Sequence, residues 1–296
     1  MTPTSRKIVF FGTEDHSLST LKALVESGFS VAAVVTKPDA PKGRGHKLTP
    51  PPVKTYAEEH NITVWQPNKL RDITDDIIAL QPVTGVLVAY GKIIPQGIID
   101  LFTPGIINLH PSLLPLWRGP SPIEAAIANQ DKETGVSIMQ LEAGMDSGPV
   151  YVQNTITLDN THTKYELYDK LFQLGNDALL QSLNDIIDGK LQPMPQDDSQ
   201  ATYCSLLSKD DSILDPQTMT ASQAHAYVRA YLGFPRSRVL FGGLNLIITA
   251  AHTGSAPEHA LSIKFKDGQF LTVDELIAPS GKTMRSEAFL RGHIAL

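Results

Sequence analysis

Residues 106–122, IINLHPSLLPLWRGPSP, hold the densest set of chemically useful side chains in the sequence. Asn108 and His110 are two apart, and residues i and i+2 of a strand share one face. An Asn amide can donate to a developing oxyanion, an effect of about 10²–10³ in rate. An imidazole beside it can move a proton, an effect of about 10²–10⁴. A carboxylate is then needed to set the imidazole tautomer or to take a proton from the nucleophile. Asp146, in the glycine-flanked run EAGMDSG at 142–148, is the candidate. Pro111 and Pro115 fix the following loop and withhold amide donors. Ser112 offers a hydroxyl that packing does not require. Taken alone, an Asn-x-His pair also reads as a turn former beside a satisfied core histidine, and Gly-x-Asp-x-Gly as an ordinary turn. The nine histidines lack metal-ligand spacing. Gly43-x-Gly45 is no dinucleotide fingerprint, because it lies in a basic loop rather than between strand and helix.

These side chains need a scaffold. KIVFFG at 7–12 reads as a buried strand ending in Gly. Leu18, Leu21 and Val25 repeat at helical spacing and Gly28 closes that segment. Residues 31–35 form a second strand. The alternation continues with a helix over 53–59, a strand near Val64, a helix before Gln81 and a strand over 85–89. A helix over 95–101 and a strand over 105–110 follow. Strands alternating with helices build βαβ units. The expected class is therefore α/β, an open doubly wound, Rossmann-like, mostly parallel sheet with right-handed crossovers. Asn108 and His110 would stand at the carboxyl end of a parallel strand, where such sheets bind ligands. Three prolines at 50–52, with Pro38, Pro41, Gly43 and Gly45, make residues 37–52 an irregular loop. It is longer than a compact domain usually keeps without a purpose.

Residues 163–188 carry the longest helical pattern, with Leu167, Leu171, Leu174, Ala178 and Ile186 on one stripe. The acidic run at 192–199 (QPMPQDDS) reads as the start of a linker. We place a first domain at 1–191, a linker at 192–206 and a second domain at 207–296. The second has a different grammar. Residues 239–241 and 244–248 flank Gly242-Gly243, and 261–266 and 269–273 flank Asp267-Gly268. Both dipeptides suit the positive φ of tight hairpin turns. Two such hairpins imply a small antiparallel β-barrel of OB-like type.

Hydrophobic residues are 42% of the 296 and charged residues 19%, enough to bury a core and unlike a disordered chain. One cysteine, Cys204, builds neither a disulfide framework nor a Cys metal site. No stretch approaches 18 apolar residues, and the opening apolar run ends at Phe11, too brief for a secretory signal. A cytoplasmic monomer with no membrane partner is expected. The net charge of −6, taken whole, points away from nucleic acid. Its distribution points the other way. Residues 37–54 carry Lys37, Lys42, Arg44, Lys47 and Lys54 against Asp39 alone. The last quarter of the chain is also basic, and the acidic excess lies between them. A soluble basic loop with no partner would read the same way.

Together the motifs resemble those of the 10-formyltetrahydrofolate-dependent formyltransferases. Asn108-Leu-His110-Pro-Ser-Leu-Leu-Pro115 is similar to that family's signature, and Glu142-Ala-Gly-Met-Asp146-Ser-Gly to its Asp loop. The resemblance implies that Asn108, His110 and Asp146 are the catalytic trio. It implies that Ser112, Leu113, Leu114 and Pro115 touch the folate, and that Tyr90, Gly91 and Ile93 line its pterin pocket. The co-substrate would be 10-formyltetrahydrofolate, with no metal. Phe11-Gly-Thr13, the basic loop, Trp117-Arg-Gly119 and Pro279-Ser-Gly281-Lys-Thr-Met284 resemble the branch that formylates initiator methionyl-tRNA. That implies tRNA contacts at Lys37, Lys42, Arg44 and Lys47. The sequence departs from the pattern at Pro111, Leu116, the run 14–16 and Phe234. A purine-precursor or amino-sugar formyltransferase, a formyl-folate hydrolase and a non-catalytic RNA-binding module are the rival readings.

Overall fold

The structure is a computed structural model, and it describes residues 6–42, 47–254 and 260–292. They divide into two compact units: residues up to 120 with 135–156 and 169–203, and residues 121–134 with 157–168 and those from 204 on.

The first unit is built on a seven-stranded sheet. Its strands are β1 (Lys7–Gly12), β2 (Ser30–Val35), β5 (Thr63–Trp65), β6 (Thr84–Val88), β7 (Ile106–His110), β8 (Glu133–Gln140) and β9 (Val150–Thr157). Their order is β5-β2-β1-β6-β7-β8-β9. The pairs β1–β2, β1–β6, β2–β5 and β6–β7 are parallel, while β8 runs antiparallel to β7. The expected doubly wound, mostly parallel sheet is present. The alternation did not reveal β8 and β9, which follow each other with no helix between them. Ile8, Val9, Phe10 and Phe11 are all fully buried, so β1 is covered on both faces. That explains its unbroken apolar run. Helices α1 (Asp15–Glu26), α2 (Pro52–Glu59), α3 (Thr74–Leu80) and α4 (Gln96–Ile99) connect these strands. One core cluster joins Val9, Phe11, Tyr90, Ile98 and Phe102.

Chain order reverses beside β1, since β2 and β5 lie on one side and β6 and β7 on the other. This is the switch point at which such sheets open a crevice beyond their strand ends. The loops after β1, β2, β6 and β7 all leave from this carboxyl edge.

The loop after β2 is not irregular throughout. Strands β3 (Ala40–Lys42) and β4 (Lys47–Thr49) pair as an antiparallel ribbon, with Lys42 directly opposite Lys47. A two-stranded ribbon has an outward edge on each strand, so Pro41 fits without breaking the ladder.

The second unit includes α5 (Pro122–Ala128) and an antiparallel sheet of β10 (Arg238–Phe241), β11 (Leu244–Gly254), β12 (Ser262–Lys264), β13 (Phe270–Ile277) and β14 (Thr283–Arg285). Helix α6 (Lys164–Ile187) begins in this unit and ends in the first. β11 pairs one edge of β13, while β12 and β14 share the other. Register shifts near Ala250 bend β11, and the sheet forms a half-barrel. Helices α7 (Ala221–Ala230) and α8 (Ser286–Arg291) close its core through Ala224, Val228 and Phe289. Gly242 and Gly243 take the positive φ of the first hairpin turn (54° and 78°). The second turn differs from expectation. Asp267 keeps negative φ, and a hydrogen bond from Gly268 N to Phe265 O closes a wider turn.

Among the described residues, no helix is long and apolar enough to cross a membrane.

Candidate active site

Asn108 and His110 end β7 on one face, each 5% exposed. The Asn108 amide has no hydrogen-bond partner among the described residues and is uncommitted. His110 is oriented by its neighbours. Its Nε2 lies 3.1 Å from the carbonyl of Trp117. A carbonyl only accepts, so Nε2 carries a proton. That leaves Nδ1 as the acceptor nitrogen of the neutral ring. Nδ1 faces Asp146 Oδ2 at 3.7 Å. This is an ion-pair separation, too long for a hydrogen bond. The structure thus brings together the three residues picked out by type and spacing.

Asp146 sits at φ 48°, a left-handed conformation that Asp adopts more readily than most residues. Its Oδ2 accepts from the Gly119 amide at 2.8 Å. Its Oδ1 has no donor among the described residues. The loop from Pro111 to Gly119 therefore serves both partners: Trp117 orients the imidazole and Gly119 the carboxylate.

Ser112 corrects the expectation that packing does not need its hydroxyl. It is fully buried, and its hydroxyl donates to Leu116 O at 2.6 Å. Ser137, opposite His110 across the β7–β8 ladder, donates to Ser112 O and accepts from Leu114 N. Gln153 donates to Leu114 O and to Ser137. In this segment Leu113 and Pro115 keep partly exposed surface, whereas Leu114 is buried.

Tyr90 follows β6 and is 1% exposed, packed edge-on against Phe11. Its hydroxyl is buried without a partner, and burial pushes its pKa up to about 12. The Tyr90 carbonyl accepts from Thr13, which also accepts from the Lys37 amide. Gly91 lies under the Lys37 ammonium, so a Cβ there would strike Nζ. Ile93 is 88% exposed.

Of the basic residues, Lys42 and Lys47 are exposed on the ribbon, and Lys37 is partly covered near Glu14 at 3.9 Å. Arg44 lies outside the described residues. Lys54 is neutralised, its ammonium 3.0 Å from both oxygens of Asp39. Gln66 also donates to Asp39 and to the Lys37 carbonyl. Hydrogen bonds from Gln66 and then Lys54 hold the Asp39 carboxyl below its usual range. Among the described residues, no group of three His, Cys, Asp or Glu side chains is placed to hold a metal.

Two features escaped the sequence reading. The backbone groups of Trp117 and Gly119 orient His110 and Asp146, and backbone partners leave no mark on residue type. Gln196 and Arg118 brace the two loops, with no sequence spacing to connect them.

Residues 6–183 match the family described as formyl transferase. The chain belongs to that family. A methionyl-tRNA formyltransferase of Pelobacter propionicus is 38% identical, over 97% of this chain and 93% of that one. Another, of Stutzerimonas stutzeri, is 40% identical over 94% and 92%. Among solved structures, the N-formyltransferase of Helicobacter canadensis, in complex with folinic acid and dTDP-3-aminofucose, superposes with a TM-score of 0.70 at 18% identity. It covers 90% of this chain and 98% of that one. At that identity the likeness is one of fold.

Proposed function

We propose that the chain transfers a formyl group from 10-formyltetrahydrofolate to the α-amine of methionine on initiator tRNA. The observation that carries the chemistry is the convergence of Asn108, His110 and Asp146 at the carboxyl edge of β7. The co-substrate supplies an activated formyl carbonyl when bound. The uncommitted Asn108 amide and His110, when protonated at Nδ1, donate to the oxygen that gains charge as the amine attacks. Asp146 offers its free Oδ1 to the amine proton, directly or through water, and stabilises the imidazolium with Oδ2. As the formyl carbon passes to the amine, its bond to the folate nitrogen would break, and that nitrogen would leave carrying the released proton. The orphaned Tyr90 hydroxyl, the partly exposed Leu113 and Pro115 and the exposed Ile93 fit a folate-like ring system at the switch point, with one buried polar atom to satisfy.

The acceptor is argued from the arm. The ribbon β3–β4 leaves from the same edge as the reactive pair, after β2. Lys42 and Lys47 stand cross-strand, a like-charge pairing that destabilises a free ribbon. Phosphates would relieve it, positioning the tRNA without reading its sequence. The near full-length relatives at 38% and 40% identity are tRNA enzymes, which favours this acceptor over a sugar or purine precursor. Within this reading, residues 1–191 carry the chemistry, 192–206 link, and 207–296 add tRNA-binding surface.

Formyl transfer measured on charged and uncharged initiator tRNA, with an amino-sugar nucleotide and water as competing acceptors, tests the proposal. Transfer restricted to the charged tRNA is expected. Equal turnover with water or the sugar would overturn it.

A further inference from the structure

The segment 192–206 reads in sequence as a linker, yet residues 194–203 are laced to the active-site loops. Met194 exchanges two backbone hydrogen bonds with Val150, and Thr202 takes up the Trp117 and Arg118 amides. At the centre is Gln196. Its Nε2 donates to the carbonyls of Asp146 and Gly148, both at 2.7 Å. Its Oε1 accepts from Arg118 Nε at 3.1 Å and Nη2 at 2.9 Å. A primary amide has two donor hydrogens and two acceptor lone pairs. All four are used, so the amide has one workable orientation.

The two loops it joins are those that define the trio. On one, Trp117 and Gly119 flank Arg118 and orient His110 and Asp146. On the other stands Asp146 itself. Arg118 is 2% exposed and also bonds Asp198 and Tyr203, so its end of the bracket is fixed. The circuit from His110 through Trp117, Arg118 and Gln196 to Asp146 closes at the 3.7 Å gap between Nδ1 and Oδ2. That gap is the only link in the circuit without a covalent or hydrogen bond, and its width is set by the others together with the Gly119 amide on Asp146 Oδ2.

We infer that Gln196 is a positioning residue for the formyl transfer reaction, fixing the separation of His110 and Asp146 from outside the site. The inference rests on the proposed function for its kinetic consequence only. Gln196→Glu keeps the acceptor for Arg118 but turns a carboxylate oxygen toward the Asp146 and Gly148 carbonyls. Gln196→Met removes both halves of the bracket at similar length.

The experiment measures kcat and KM for both substrates, thermal melting, and the His110 ring ¹⁵N signals, which report where the ring protons sit. For Gln196→Glu, kcat is expected to fall about tenfold to a hundredfold, the effect of a small misplacement of reacting groups. KM values and the melting temperature stay close to wild type, and the His110 signals move. Gln196→Met lowers kcat in the same direction. Unchanged His110 signals or unchanged kcat in a folded Gln196→Glu variant would overturn the inference. So would loss of the folded state in both variants, which would make the residue structural. If the wild-type chain transfers no formyl group to methionyl-tRNA, the functional reading fails. The His110 signals of the two variants still decide the bracket.

Discussion

The Nδ1 of His110 lies 3.7 Å from Oδ2 of Asp146, while Nε2 of the same ring is occupied by the Trp117 carbonyl. The ring therefore has one open nitrogen, and it faces the one carboxylate beside it. Asn108 shares the face and keeps its amide uncommitted. In the proposed reaction this arrangement would separate donor, proton carrier and acceptor onto three side chains.

Replacement of each should act on the chemical step. His110→Ala is expected to lower kcat by about 10²–10⁴, and Asn108→Ala by about 10²–10³. Asp146→Asn is the informative third variant, because Asn tolerates the left-handed φ of 48° that Ala resists. It should lower kcat with the fold intact. Steady-state kinetics beside circular dichroism check all three. Near-normal kcat in folded Asn108→Ala and His110→Ala would remove the assignment.

The ribbon should act on tRNA affinity. The double change Lys42→Ala and Lys47→Ala is expected to raise KM for tRNA. The slope of log affinity against log salt should shrink by about one for each lysine removed. Binding titrations from low to moderate salt measure both. An unchanged slope would show that neither lysine meets a phosphate.

The root of the ribbon should be acid-sensitive. Asp39 ionises below its usual range because Gln66 and Lys54 hydrogen-bond its charged form. A depressed folded pKa gives stabilisation that is complete above the ordinary carboxylate value. It is lost as pH falls through the lowered one. The Gln66 side-chain amide signals should therefore shift with a midpoint below that of an ordinary Asp. The Asp39→Asn variant should show no such transition.

The Asp146 loop should tolerate no side chain at Gly148. A Cβ there would fall on the backbone oxygen of Gln140, which cannot rotate away. Gly148→Ala is expected to cost about 1–3 kcal/mol, the range for overpacking. A lower denaturant midpoint at unchanged slope would show it. Activity should fall as well, because the Gly148 carbonyl is one of the two that Gln196 holds.

The grouping of Asn108, His110 and Asp146 was legible as an i, i+2 pair at a strand end and a glycine-flanked Asp. The parallel sheet was legible because strands such as β1, buried on both faces, show unbroken apolar runs between helices. The Gly242-Gly243 hairpin was legible because few residues accept its φ angles. Strands β8 and β9 were not, since they follow each other without an intervening helix. The ladder of 40–42 with 47–49 was hidden by prolines that a ribbon edge accommodates.

By itself, the sequence determined which groups could do chemistry and where local geometry forced a turn, since those depend on residue type and near neighbours. Only the tertiary structure decided what each group is free to do. It committed Ser112 to its own loop and cancelled Lys54 against Asp39. It left the Asn108 amide open and made Gln196, in a segment that reads as a linker, the brace between two loops. The Gln196 hydrogen bonds join residues about 50 to 80 positions apart. No spacing rule reaches that far, because the partners are chosen by the packing of the whole unit.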